Sequence, residues 1–556
     1  MFLRNRSIQF TLIFLFLLPC LSVNATLDNR GKEFIIMFPG NINKNKKVSK
    51  LSLFISNIIS TTDANKINLF ISSIIPTTGT ISIPGINFNQ SFTTTKDKVT
   101  IIDLPSNTQV TVSDKIKNKG IFIVAEEEIT IYGLNLQKYS TDAFLALPVD
   151  VLGTDYINLG YRNVDTTYGS QLSIVATVDN TIVTIIPTIN IGSHNENISY
   201  NITLKRGETY LLRSTAMNGD LSGTRITATQ KIAVFGGHQC ANIPDKSVAF
   251  CDYLVEQLPP TNSWGRSFIT LPLVTRKKGD TFQILSAKDN TNIKINGNTV
   301  ATLNQGQLHN QIIDGGATIT ANNPILVAQY SNSTKFDNIT SDPFMMLIPP
   351  FEQFRTNYTI ISLIETQFIG QFINIVIANK GVGNIVLDNT TIPINQFKKI
   401  GTSGFSGAQI SVTQGTHNLS SNIPFGTLVY GFGEDESYGY PAGSGLSAVA
   451  LVNKLVLTAD PNKKSLKTQI VNKEYCSIST ITDVNEAPLV GIRVDFTVTG
   501  ANTQIISITT DVNGQAKLCY KGINSGIDKI SSTSGLLTKK STVKWEKKAP
   551  LQLQLL

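Results

Sequence analysis

Residues able to do acid–base or metal chemistry are few and scattered. The 556-residue chain holds four histidines, His194, His238, His309 and His417. Only His238 has a soft ligand at short spacing, in Gly237-His238-Gln239-Cys240. A zinc ion needs further convergent ligands. None stands out, and Cys251 is close enough to draw Cys240 into a disulfide. His238 therefore reads as a packed, hydrogen-bonding residue, and no metal site is assigned. There is no Gly-x-Ser-x-Gly elbow, no phosphate-cradling Gly-rich loop ending in Lys-Ser or Lys-Thr, and no His-Glu-x-x-His. The acidic runs Glu126-Glu127-Glu128 and Glu434-Asp435-Glu436 offer oxygens to calcium but lack the alternating spacing of a dedicated loop. They read as solvated turns, and structural calcium is the one cofactor kept as an alternative. Glycosidases need only two carboxylates. A secreted glycan-active enzyme on a β scaffold is therefore the catalytic alternative, with Glu256 the carboxylate to test. Its plainer role is to satisfy backbone groups.

The compartment follows from the ends and the cysteines. Arg4 and Arg6, the apolar run Phe10 to Val23 and the small residues of Val23-Asn24-Ala25 form a secretory leader, residues 1–25. No later stretch is long and apolar enough to span a bilayer. Beyond Cys20 in the leader, four cysteines remain: Cys240, Cys251, Cys476 and Cys519. An even count in a secreted chain implies two disulfides with three connectivities open. Local pairing, Cys240 with Cys251 and Cys476 with Cys519, is the simple choice. The second is expected to join the two sheets of a sandwich. Net charge is +8, spread thinly, with no basic run interleaved with aromatics, so nucleic acid is not an expected partner.

The elements that must position these residues read as strands throughout. Ile492-Arg493-Val494-Asp495-Phe496-Thr497-Val498 alternates apolar and polar, one face buried and one wet. Ile293 to Val300 is a hairpin around Asn296-Gly297, and Val512-Asn513-Gly514-Gln515 carries the same punctuation. A longer pattern recurs four times: a polar strand, a short polar break, then an apolar strand. Its anchors are Ile129, Ile232, Ile325 and Phe425, spaced by 103, 93 and 100 residues. Openings recur too, at Gly31, Gly153, Gly265 and Arg355. Three follow proline links, at Pro148, Pro259-Pro260 and Pro349-Pro350. Units of this size made of short strands predict all-β, tandem β-sandwich-like modules in a row or ring. The expected bounds are about 31–137, 150–255, 262–347 and 354–433, then a linker at 446–453 and a sandwich-sized unit at 454–549.

The cluster Gly237-His238-Gln239-Cys240, Cys251-Asp252-Tyr253-Leu254-Val255-Glu256-Gln257-Leu258-Pro259-Pro260 and Trp264-Gly265 resembles the N-terminal domain of IgG Fc-binding protein. Tyr139 to Pro148 and Asp342 to Pro350 match it as well, and the resemblance covers about residues 31–445. It implies a secreted or cell-surface, non-catalytic role in binding or adhesion. The implied partner is an extracellular protein or glycoprotein: mucin-like, Fc-like, a receptor, or a second copy of the chain. The tail is similar to bacterial immunoglobulin-like domains of the invasin and intimin kind. That likeness rests on Cys476, Asp483, Pro488-Leu489-Val490-Gly491, Phe496 to Gly500, Thr510 to Ala516, Cys519-Tyr520 and Trp545. Such modules act as stalks. The binding candidates are the inserts that repeat least. One is the stapled loop from Cys240 to Cys251, flanked by His238, Glu256 and Trp264. The other is Glu434 to Gly445, whose Tyr438 and Tyr440 are expected to be exposed contact residues.

Overall fold

One long strand organises each repeat. In the computed structural model, which describes residues 27–42, 66–137, 139–339, 341–433, 436–461, 468–535 and 537–547, these hubs are Ile121–Gln137, Arg225–Ala241, Ala317–Tyr330 and Gly415–Gly433. The leader lies outside the described residues. Hub burial changes along its length, and the sequence says why. Arg225 to Lys231 is polar, with apolar residues only at alternate positions, and it keeps one face in water. Ile232 to Ala241 is almost wholly apolar and buried. A strand covered on both faces needs such a run.

Each hub therefore pairs with different strands along its two halves. Its first half pairs with the opening strand of the module and with the inner strand of a hairpin. Its second half pairs with another strand and with the closing strand. The halves meet at a bulge, which bends the strand. The bulge falls at the repeat anchors: Gly31 is opposite Ile129, Gly153 opposite Ile232, Gly265 opposite Ile325 and Arg355 opposite Phe425, each beside a register shift. The opening glycines are required by close packing. A Cβ on Gly265 would lie 2.1 Å from the Pro350 Cβ, and Gly31 and Gly153 face Pro148 and Pro260 in the same way.

Closing strands Ser140–Leu145 and Ser437–Pro441 fall between the expected module bounds, and the structure corrects those bounds by pairing each strand with its hub. The second half of a hub has two edges to satisfy, and the closing strand takes one of them. The four closing strands, with Asp252–Leu258 and Met345–Leu347, pack side by side around one axis, each touching two others. The modules thus close into a ring. Its seam is joined by a bridge between Asp28 and Gly445, by Leu446 N–H donating to the Leu27 carbonyl at 2.8 Å, and by the Arg355–Asp28 ion pair at 2.8 Å. Lys115–Asn118 crosses from the first module to the edge of the second sheet. Residues 446–453 are packed, with Leu446 and Ala450 buried.

The tail is a sandwich of a three-stranded and a five-stranded sheet over a core containing Phe496, Leu518 and Trp545. Cys476 and Cys519 are joined, but they are register partners on adjacent strands of one sheet, Cα atoms 4.2 Å apart. This corrects the expected sheet-to-sheet bridge, since stacked sheets lie about 10 Å apart. Asn296 and Gly297 take the positive φ of the expected hairpin turn. At Val512 to Gln515 only Gly514 does, because Asp511 accepts the Asn513 and Gln515 N–H groups and forms a different turn. Among the described residues no helix is long and apolar enough to cross a membrane.

Candidate functional site

The residues singled out by type converge on the ring axis, and most are sealed there. Asp142 sits in the first closing strand with no exposure. Its carboxylate accepts N–H bonds from Ala143 at 2.8 Å, Val255 at 3.1 Å and Met345 at 3.3 Å, and the Gly439 N–H also faces it. These donors come from all four modules. Burial pushes its pKa well up, against the pull of the donors. Glu256, also buried, accepts from Leu347 N–H at 3.0 Å, and burial pushes it well up too. Both carboxylates tie a closing strand to its neighbour.

His238 is locked by both ring nitrogens. Cys240 N–H donates to Nδ1 at 2.9 Å, so Nε2 carries the hydrogen and donates to Asn163 Oδ1 at 2.9 Å. Asn163 in turn donates to the Ser214 and Ala216 carbonyls at 2.8 Å. Burial lowers the His238 pKa to about 3, so the ring is neutral and its lone pair is engaged. Trp264 is buried and donates to the Pro259 carbonyl at 3.0 Å, walling a small cavity of about 50 Å³ beside Glu256 and Pro350.

Tyr438 and Tyr440 correct the expectation of exposed contact residues, because both are fully buried. They lie on the closing strand rather than on a loop. Tyr438 accepts the Leu363 N–H at 3.0 Å and donates to Gln371, Tyr440 donates to the Ile361 carbonyl, and Tyr440 packs on Tyr132 with ring centroids 4.3 Å apart. The pair seats the fourth module on the first. The acidic runs also differ from free turns. Glu127 pairs with Lys32 at 3.2 Å and Glu128 faces Arg30 within a hub strand; Glu434 and Asp435 lie outside the described residues. Glu436 accepts the Tyr139 N–H at 2.7 Å and the Thr141 hydroxyl. Among the described residues, the side chains grouped closely enough for one metal ion are Glu474, Cys476 and Cys519, whose sulfurs are in the disulfide.

The end of the ring where hubs turn into closing strands is different in kind. Cys240 and Cys251 are joined across 11 positions, and the loop they staple is exposed from Asp245 to Ser247 and again at Ala249 and Phe250. Phe250 is 56% exposed at φ +71°, and Tyr139 is 45% exposed at φ +65°. Thr275, on the neighbouring loop of the third module, is at φ +74°. Bulky residues in the left-handed region are strained, and such strain collects at functional sites. Tyr139 entered the sequence reading only as the first residue of a run matching the family, and Thr275 not at all. The signal available there was only their place in or beside a hub-to-closing turn. The stapled loop lies against the third module, with Ile243 N–H donating to Ser333 Oγ at 3.0 Å and Ser333 N–H to the Ile243 carbonyl at 2.9 Å.

With this geometry, the chain compares with known proteins as follows. The family model described as IgGFc binding protein matches residues 142–431. The human IgGFc-binding protein is 22% identical over 354 residues, which is 61% of this chain and 6% of that protein, so the chain spans a small fraction of its relative. Among solved structures, the Escherichia coli adhesin FdeC aligns over 51% of this chain and 97% of its own at 10% identity, TM-score 0.15. The BSP domain of a biofilm-associated protein aligns over 75% and 78% at 7% identity, TM-score 0.13. Scores this low carry no argument.

Proposed function

The chain belongs to the IgGFc-binding protein family, and from that premise we propose that it is a secreted or cell-surface, non-catalytic binding protein for extracellular proteins or glycoproteins. Recognition is assigned to the loop end of the ring, with the ring as rigid scaffold and the immunoglobulin-like tail as spacer. One observation carries this reading: the groups with perturbed acidity are closed off by backbone donors, while strained, exposed aromatics stand on loops at one end. Loops on a rigid scaffold commonly carry recognition. A staple also cuts the ordering cost of docking.

The test is surface-plasmon-resonance binding of the chain to a panel of immobilised mucin, immunoglobulin Fc and cell-surface glycoproteins. Wild type is compared with Phe250→Ser/Tyr139→Ser and with a Tyr438→Phe control. Loss of binding in the first variant alone supports the assignment. Full retention moves the surface elsewhere. Turnover of a glycan substrate abolished by Glu256→Gln would replace this reading with the glycan-active enzyme.

A further inference from the structure

We infer that the loop face over the junction of the second and third modules binds an extended polyanionic glycan, one carrying sulfate or carboxylate groups along its length. This rests on the binding role proposed above and names its ligand chemistry. Five cations stand exposed there: Arg162, Lys246, Lys277, Lys278 and Lys335. They come from separate segments that the fold makes contiguous. Tyr161 donates to the Pro244 carbonyl at 2.7 Å, bringing Arg162 to the stapled loop, where both Arg162 and Lys246 act on Asp245. The two hydrogen bonds between Ile243 and Ser333 join that loop to the next. Lys277 N–H donates to Asp337 at 3.0 Å and Lys278 Nζ to the Phe336 carbonyl at 3.0 Å, which fixes the third segment on the second.

The positive charge is only partly compensated. Among the described residues none of the five is in an ion pair, whereas the buried Arg276 beneath them is paired with Asp337 at 2.8 Å. The opposing carboxylates are the exposed Asp165, Asp245 and Asp314, the last with its backbone against Gly279, and the half-buried Asp220, which also acts on Arg162. Asp245 is held below its usual range by the Ser247 hydroxyl and N–H, so it stays ionised and partly offsets Arg162 and Lys246. Two aromatic rings lie among the ammonium groups: Lys335 Nζ is 5.8 Å from the Phe250 centroid and Lys278 Nζ 5.8 Å from that of Phe336.

The form of the surface selects the ligand. Peptide capture uses a free strand edge, an apolar groove or an arginine cluster. Here the strands end in loops, four of the five cations are lysines, and the clefts of about 300 and 340 Å³ are at the seam beside Arg30 and Arg355. Lysine ammonium groups act as dispersed point charges rather than bidentate forks. Dispersed charge suits a chain with anions at intervals. The Cys240–Cys251 disulfide places the face in an oxidising compartment, where glycans rather than nucleic acids are the polyanions met.

The experiment uses the full chain with heparin, desulfated heparin, polysialic acid, polyglutamate and a single-stranded oligothymidine as probes. Wild type is compared with Lys246→Gln/Lys335→Gln, with Lys277→Gln/Lys278→Gln, and with the tail control Lys539→Gln/Lys540→Gln. The proposal expects heparin or polysialic acid to bind more tightly than polyglutamate and the oligonucleotide, with affinity falling as salt rises. The heparin and polysialic acid arms distinguish sulfate from carboxylate. Each loop double variant should lose about ten-fold in affinity while the control does not change. Equal loss in the control, or tighter binding of polyglutamate or oligothymidine, overturns it. If Phe250→Ser/Tyr139→Ser abolishes glycoprotein binding while no polyanionic glycan binds, the binding role stands and this inference fails.

Discussion

Acidification should weaken the fold through His238, and the loss can be isolated from every other titrating group. The unfolded chain protonates a histidine near pH 6.5. The folded chain resists until about pH 3, because burial disfavours the charged ring. Between those values the unfolded state holds a proton that the folded state refuses. Stability then falls as pH falls, approaching about 1.4 kcal/mol per unit, so about 2.7 kcal/mol is lost between pH 7.5 and 4.5. Below the folded value the loss levels off. The buried carboxylates Asp142, Glu256 and Asp280, the last pushed up to about 7, act in the opposite sense over the same range. A raw pH profile therefore mixes them. His238→Gln removes the one titration and keeps an acceptor and a donor of similar reach. Urea unfolding at pH 7.5, 6.0, 5.0 and 4.5 would be followed by Trp264 fluorescence, with Trp545→Phe in both proteins so that the body alone reports. Wild type should lead at pH 7.5 by about 1 kcal/mol, the worth of well-placed hydrogen bonds, and lose that lead by pH 5. A gap that stays constant from pH 7.5 to 4.5 would refute the reasoning.

Three further outcomes are expected. Replacing Cys240 and Cys251 with Ser should cost about 3 kcal/mol in the loop-entropy model and open the 242–250 loop to protease, read by denaturant unfolding and limited proteolysis. Gly265→Ala should cost about 1–3 kcal/mol, because its Cβ meets Pro350 and one of the two must shift, and thermal melting reads this directly. Tyr438→Phe leaves the Leu363 N–H without its acceptor inside the core, so it should cost about 1–3 kcal/mol while ligand binding is unchanged.

The sequence by itself determined the parts that depend on local pattern. Period-two alternation marks strands wherever one face meets water, and it is visible from Arg225 to Lys231 and from Arg493 to Val498. The repeat anchors Ile129, Ile232, Ile325 and Phe425 stood out because a bulge needs the same break in the same place each time. The pairing of Cys240 with Cys251 was readable because their loop is short.

Tertiary structure decided what depends on packing between modules. Tyr438 and Tyr440, beside Gly and Pro, look like a loop; only the hub edge waiting for a fourth partner makes them a buried strand. Asp142 is unremarkable in sequence, and it becomes the axis only when donors more than one hundred residues away arrive from the other modules. Cys476 and Cys519 could bridge sheets or strands until register placed them opposite each other. The basic face was invisible for the same reason. Its lysines lie in separate short loops, and the packing of the second module on the third brings them onto one surface.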